Sequence, residues 1–306
     1  MLETDIWSGM ETDERWSCEP ATISSKNLVV VADLPLHDAR PAHRAALGEP
    51  LEVTARASSL PQTPAVGPPI PNPRQAVVLL HPPKLSPVDV MDAAFAGVAC
   101  EGVDGTGTVL PLPAHHWLGD PDQGDHRLFL DHCSGSTLDV GCGPGRLVGA
   151  LAARRLVTMG IDVSREGVRQ ARARGAQAVL GDVFGPVPRS GEWDHVLLAD
   201  GNIGIGGDPV RLLNRVHALL RSGGTAFVEV EPADVGVVLH RLRLRMGAHT
   251  SAPFRWASVG ADAVRSLATE AGLDVTAWRR AAGRCVAVVT CGCPDGRCRP
   301  PRGSST

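Results

Sequence analysis

TLDVGCGPGRL, residues Thr137 to Leu147, is the stretch on which the fold of this chain turns. A short apolar run breaks into Gly141, Gly143 and Gly145 and then enters RLVGALAARR, whose apolar residues recur at helical spacing. Glycines at alternate positions permit a tight turn and let the backbone approach a ligand without side-chain obstruction. The dinucleotide fingerprint requires a third glycine at position 146, where Arg146 stands instead. A second glycine-rich stretch, LLADGNIGIGGDP (Leu197–Pro209), also follows an apolar run. One of the two loops is expected to cradle a ligand, and the other needs a different explanation.

Working outward, the pattern is regular. LVTMGIDV reads as a strand and REGVRQARARG as a helix closed by Gly175; AQAVLGDV and WDHVLLAD read as strands. PVRLLNRVHALLRSGG is a helix with Asp208 as its cap, Pro209 at its first position, and Leu212, Leu213, Val216, Leu219 and Leu220 on one face. TAFVEVE is a strand, GADAVRSLATEAG a helix stopped at Gly272, and DVTAWRRA and RCVAVVT two final strands with no helix between them. Strands alternating with helices give right-handed crossovers and a sheet covered on both faces. The expected fold is α/β: a doubly wound, mainly parallel seven-stranded sheet whose last strand is antiparallel. Such a sheet binds its ligand beyond the carboxyl ends of its strands, near the switch point.

Upstream, SPVDVMDAAFAGVAC reads as a helix with Ser86 as cap, Pro87 at the first position and Asp89 in the first turn. A loop carrying His115, His116 and Trp117 follows, and then a helix over DQGDHRLFLDHC. Residues 1–85 hold a proline cluster, LPQTPAVGPPIPNPRQ, and only NLVVVADL and AVVLL are strand-like, so this segment is expected to be a disordered or weakly structured extension. Residues 86–290 form the expected domain and 291–306 a flexible tail. The tail region holds Cys291, Cys293 and Cys298, with Cys285 upstream; zinc sites pair Cys-x2-Cys with a second such pair or with histidines, which is absent, so no metal is expected.

The charge balance is 30 basic against 33 acidic residues, a net −3, and the whole-chain field makes no case for nucleic acid. No apolar run is long enough to span a bilayer. The first residues, MLETDIWSGMETDERW, lack the basic start and apolar stretch of a secretory signal, so a cytoplasmic protein is expected.

The pattern Asp139-x-Gly141-x-Gly143-x-Gly145 resembles motif I of the class I S-adenosylmethionine-dependent methyltransferases. The resemblance continues through Asp162 in GIDVS, Asp182 in LGDVFGPVP, the Trp193–Asp194 pair entering the fourth strand, and the Gly-Gly turn of LLRSGGTAFVEV; it runs from Ser86 to Thr290. It implies S-adenosyl-L-methionine as cofactor, held by Asp139, Gly141, Cys142, Gly143 and Gly145, by Asp162 at the ribose with its neighbour Val163, by Asp182 at the adenine amino group with its neighbour Val183, and by Asp200 and Asn202, either to receive the methionine ammonium or to orient the acceptor. The same residues have plainer readings. Asp139 caps the loop's amides, and Asp162 and Asp182 are turn residues. The second glycine loop either lies against cofactor and acceptor or is a permissive turn into the Asp208-capped helix.

Amino methyltransferases acting on DNA bases usually carry an Asn/Asp-Pro-Pro-aromatic signature where this chain has Asp200-Gly201-Asn202-Ile203. That favours a small-molecule acceptor. No catalytic residue is assigned. His115 and His116 are the candidates for a base because they precede the sheet, where related enzymes fold a cap; His195 lies inside a strand and reads as structural, and Trp117 as a packing anchor. VVLHRLRLRMGAHTSAPFRWASV reads as a hairpin with Val238, His240, Leu242, Leu244 and Met246 on one face and Arg241, Arg243 and Arg245 on the other. Those arginines either attract an anionic acceptor or protect an edge strand from pairing. The competing functions are a nicotinamide-dependent oxidoreductase and a non-catalytic cofactor-binding module.

Overall fold

The structure is a computed structural model that describes residues 85–291. The expected N-terminal extension, apart from its last residue, and the tail beyond position 291 lie outside the described residues. Ser86 and Asp89 start the domain with reciprocal side chain to backbone bonds, at 3.1 and 2.9 Å, that cap α1 (Pro87–Phe95). Two short strands follow, β1 (Glu101–Val103) and β2 (Val109–Pro111). The His115–Trp117 stretch is not a loop but part of a short helix, α2 (Ala114–Leu118). The next expected helix is divided: α3 (Gln123–Leu128) is capped by Asp122, and the chain then tightens into a 3-10 turn over Leu130–His132.

From there the elements alternate: β3 (Thr137–Val140), α4 (Arg146–Ala153), β4 (Thr158–Asp162), α5 (Arg165–Ala173), β5 (Ala178–Leu180), β6 (Trp193–Leu198), α6 (Pro209–Leu219) and β7 (Leu220–Val230). An insertion supplies β8 (Val237–Met246), β9 (His249–Thr250) and β10 (Phe254–Val259) before α7 (Val264–Glu270), β11 (Leu273–Ala281) and β12 (Arg284–Cys291) close the domain. Asp208 caps α6 as expected, accepting from the Arg211 amide at 3.0 Å. The helix stops at Leu219 rather than running to the glycines, because Gly223, at φ +71°, and its neighbours form an irregularity within β7, between the pairs Trp193–Leu220 and His195–Thr225.

Seven strands make the main sheet in the order β11-β12-β7-β6-β3-β4-β5. β3 to β7 run parallel, and β12 pairs antiparallel with both β7 and β11. The chain order reverses between β3 and β6, which is therefore the switch point. Leu138, Val196 and Val228 from its central strands and Leu212, Leu213 and Val216 from α6 are fully buried, so the apolar face read from the sequence packs on this sheet.

The arginine hairpin forms, with Phe254 opposite Leu242 and Trp256 opposite His240. Its alternation is as expected at Leu242 and Leu244, which are buried, and at Arg241 and Arg243, which are exposed. It is not an edge, however. β8 lies between β10 and β1 in a second sheet, and Arg245, opposite Glu101, bonds that carboxylate at 2.5 Å. β1 and β2 carry too few residues to show a period in the sequence, so the strand that covers this edge was not legible there.

Candidate functional site

The first glycine loop leaves the carboxyl end of β3 at the switch point. Gly141, Gly143 and Gly145 all take positive φ, which L side chains rarely adopt. A Cβ on Gly141 would stand 2.7 Å from Asn202 Nδ2, and one on Gly145 would stand 2.7 Å from Ala171. Gly145 is thus a packing glycine between α4 and α5. Gly141 lets the second loop reach the first, where Asn202 Nδ2 donates to the carbonyls of Val140 at 2.8 Å and Gly141 at 3.1 Å.

The second loop has a further reason for its glycines. A Cβ on Gly204 would meet Ala257 O at 2.1 Å, and one on Gly207 would meet Arg255 Cβ at 2.7 Å. Close packing of β10 against the loop, joined by a bridge between Ile205 and Trp256, requires glycine at those positions. Most of this loop's glycines therefore serve packing, and the first loop's cavity is lined from this stretch by Ala199, Asp200 and Asn202, of which the last two are polar.

That cavity is lined by Asp139, Gly141, Cys142, Gly143, Asp200 and Asn202, together with Phe95, Trp117 and Arg146. Three side chains there are nearly solvent-free, with Trp117 3%, Arg146 3% and Asn202 1% exposed. In each, one polar atom lacks a hydrogen-bond partner: Trp117 Nε1, Arg146 Nε and Asn202 Oδ1. Leaving a buried donor or acceptor unpaired costs about 1–3 kcal/mol, so three around one cavity mark a place built for a polar ligand. Two donors and one acceptor match the carboxylate and ammonium of an amino acid.

A second recess opens beside the first, lined by Gly141, Asp162, Val163, Gly181, Val183 and Ile205. Asp162 is buried and accepts from the Gly143 amide at 2.8 Å and the Ser164 amide at 2.7 Å. A carboxylate offers about four acceptor sites, so those amides leave it capacity for a donor in the recess. Burial, only partly offset by those amides, raises the Asp162 carboxyl to about 6. Asp182 stands apart. It lies two residues beyond β5, and its Oδ1 accepts from the Phe184 amide at 2.9 Å in a local turn. Asp182 and Gly145 line neither recess.

Beneath the first cavity lies a network of ions. Arg146 bonds Asp125 and, at 2.5 Å, Asp200. Arg284 clamps Glu229 at 2.7 and 2.9 Å, bonds Asp125 at 2.7 Å and lies 3.6 Å from Asp200. Burial pushes the Asp200 carboxyl up, but Arg146, His116 and Arg284 outweigh it and hold Asp200 at about 2. Asp139 goes the other way: burial raises it to about 7 against the pull of Arg146. His116 stands 3.5 Å from Asp200 Oδ1 on α2, whereas His115 is exposed. His116, Asp122 and Asp125 also converge, but both oxygens of Asp125 are already paired with guanidinium groups. His195 in β6 packs against Phe227 at 5.6 Å, and burial lowers its pKa, in keeping with a structural role.

In the sequence Arg146 reads only as a missing glycine. A cation in the first turn of a helix opposes the helix dipole, and that conflict was the available signal that Arg146 has buried anionic partners. Asp125, Glu229 and Arg284 are distant in sequence, and the one local pattern among them, the Asp122–Asp125 capping box, points to a helix start and not to a buried ion network.

The model of a family described as "Methyltransferase domain" matches residues 137–224. A trans-aconitate 2-methyltransferase of Mycobacterium sp. (strain KMS) is 31% identical over 159 residues, covering 46% of this chain and 59% of that protein. One from Paracidovorax citrulli (strain AAC00-1) is 34% identical, covering 50% of this chain and 56% of that protein. The chain thus spans less than two thirds of the length of these curated relatives. The solved structure of an S-adenosylmethionine-dependent methyltransferase from Bacteroides fragilis, in complex with S-adenosyl-L-homocysteine, aligns with a TM-score of 0.57 at 19% identity, covering 68% of this chain and 96% of that one. That likeness shows a shared fold.

Proposed function

We propose that this chain, which carries a methyltransferase domain of the class I, S-adenosylmethionine-dependent family, transfers a methyl group from S-adenosyl-L-methionine to a small-molecule acceptor. The carrying observation is the set of three unpaired polar atoms around the first cavity. Trp117 Nε1 and Arg146 Nε would take the cofactor's carboxylate, and Asn202 Oδ1 its ammonium. Asp162 would accept from the ribose hydroxyls in the adjoining recess, with Val163 and Val183 against the base. This revises the expected part of Asp200: with Arg146 and Arg284 on its carboxylate, it serves to fix Arg146 rather than to receive the ammonium directly.

When bound, the cofactor supplies a methyl group already activated by its sulfonium. The chain's own contribution is to hold the acceptor in line and keep water out, so proximity supplies much of the acceleration. An acceptor that attacks through a hydroxyl or amine must lose a proton, and His116, oriented by Asp200, is the base of choice; among the described residues no carboxylate stands beside His115 in that way. The relatives' activity on trans-aconitate, an organic anion, supports a small acceptor and favours an anionic one. Arg241, Arg243 and Arg245 line neither of the two recesses described above, so the attraction of an anion is not assigned to them.

The test is incubation of the full chain with methyl-labelled cofactor and a metabolite extract. Label is expected in the low-mass fraction, with the signal lost in Asp162→Ala. Label that enters only macromolecules would overturn the small-acceptor reading.

A further inference from the structure

The molecule has a larger cavity that the cofactor reading does not use. It measures about 390 Å³ and lies at the tip of the β11–β12 hairpin, beyond the carboxyl end of β7. Its wall is mostly uncharged: Val230, Pro232, Ala233, Ala261, Ala281 and Gly283. Two arginines and one thiol complete it. The cations differ in what they already hold. All three nitrogens of Arg284 are committed to Glu229, Asp125 and Asp200. Arg280 stands opposite Cys285 across the hairpin and hydrogen-bonds its thiol, and among the described residues no carboxylate forms an ion pair with it. Arg284 is also the link between the two cavities. It lines this one, and its partner Asp200 lines the cavity of the first glycine loop.

We propose that this cavity is the acceptor site and that it takes a small acid, with the anionic group on Arg280 and an uncharged body against the alanine, proline and valine wall. The inference rests on the methyl-transfer reading and adds to it the place and chemical class of the acceptor. Three observations carry it. The cavity lies at the carboxyl end of the parallel strands, the side on which doubly wound sheets hold their ligands. Its size falls within the range of small-molecule sites, which are lined mainly by apolar groups with a few polar anchors. Its one charge without an ion pair among the described residues is the Arg280 guanidinium, which suits a carboxylate or phosphate in bidentate geometry. Arg284, by contrast, is a positioning residue: it anchors the hairpin to the carboxylates under the cofactor cavity and so fixes the distance between the two sites.

The test uses the full chain saturated with S-adenosyl-L-homocysteine, with cinnamate as the probe acid and cinnamamide as its uncharged counterpart. Binding is followed by calorimetry and by alkylation of Cys285, read on its peptide by mass spectrometry. Cinnamate is expected to bind and to slow Cys285 alkylation, and cinnamamide to do neither at the same concentration. Arg280→Gln should weaken cinnamate on the order of tenfold or more, and Arg280→Lys should restore part of the loss. Arg280 is exposed, so both variants are expected to fold and to keep wild-type affinity for S-adenosyl-L-homocysteine. Equal binding of cinnamate and cinnamamide, unprotected Cys285, or an Arg280→Gln variant that binds cinnamate like wild type would each overturn the assignment. Failure of S-adenosyl-L-homocysteine to bind the wild type would instead overturn the cofactor reading on which it rests.

Discussion

Arg284→Met is the most revealing single change, because one guanidinium is shared by three carboxylates. Glu229 accepts two bonds from it, Asp125 one, and Asp200 lies 3.6 Å away. The side chains of Glu229 and Asp125 are almost solvent-free, so neither can turn to water when the cation goes. Removing one partner of a buried ion pair costs about 3–5 kcal/mol, since the other charge is left uncompensated. For a domain of this size that is a melting temperature lowered by roughly 6–20 °C. The loss should depend on pH in a defined sense. In the wild type, Asp125 and Asp200 are held below their usual range because Arg146 and Arg284 outweigh burial, so they contribute stability above the unfolded pKa and lose it as pH falls through the folded one, about 2 for Asp200. In the variant, burial is opposed by Arg146 at both carboxyls and by His116 at Asp200, without the pull of Arg284, and both carboxyls move up. Protonation then relieves the variant, and the gap from wild type should be widest at pH 7–8 and narrow toward pH 5. Urea unfolding followed by tryptophan fluorescence at several pH values measures this. A deficit under about 1 kcal/mol, or one constant between pH 8 and 5, would refute the reasoning.

Gly141→Ala puts a methyl group 2.7 Å from Asn202 Nδ2 at a φ of +70°, which adds about 1–2 kcal/mol of backbone strain to the loss of the Asn202 bonds; a lower midpoint in urea and weaker S-adenosyl-L-homocysteine binding are expected. Trp117→Phe keeps the edge-on packing with Phe95 but deletes the unpaired donor, so it should weaken S-adenosyl-L-homocysteine and leave 5′-methylthioadenosine, which lacks the amino-acid end, unchanged in calorimetry. With burial raising Asp162 to about 6, the carboxylate that receives ribose hydroxyls is lost below that pH, and cofactor affinity measured from pH 8 to 5 should fall as pH drops through 6. Asp208→Ala removes the α6 cap at a cost of about 1 kcal/mol in stability and should not alter cofactor affinity.

The alternation of strands and helices, the antiparallel last strand and the caps at Ser86 and Asp208 were legible because each rests on a local pattern: hydrophobic period, glycine at a turn, an oxygen before a helix. The cavity residues Asp139, Gly141, Cys142, Gly143, Asp200 and Asn202 were legible for the same reason, since two loops in sequence carry them all. What escaped notice comes from long-range juxtaposition. Trp117 reads as a packing residue, and it is one, but its indole N–H is unpaired at a cavity that α1 and α2 share with the loops after β3 and β6. Arg284 and Glu229 meet Asp125 only because β12 and β7 pair and α3 packs near the hairpin they support. The glycines of the second loop misled in a different way. Glycine records a close approach without saying to what, and at Gly204 and Gly207 the neighbour is β10 rather than a ligand.

The central claim is that the recesses around the first glycine loop hold S-adenosyl-L-methionine. The most direct measurement is calorimetric titration of S-adenosyl-L-homocysteine and of NADH into the full chain and into Asp162→Ala. The account predicts micromolar-range binding of S-adenosyl-L-homocysteine, no heat from NADH, and a loss in the variant of on the order of 1.5–3 kcal/mol, the worth of hydrogen bonds to a charged group. Saturable binding of NADH in place of S-adenosyl-L-homocysteine, or equal affinity in Asp162→Ala, would contradict it.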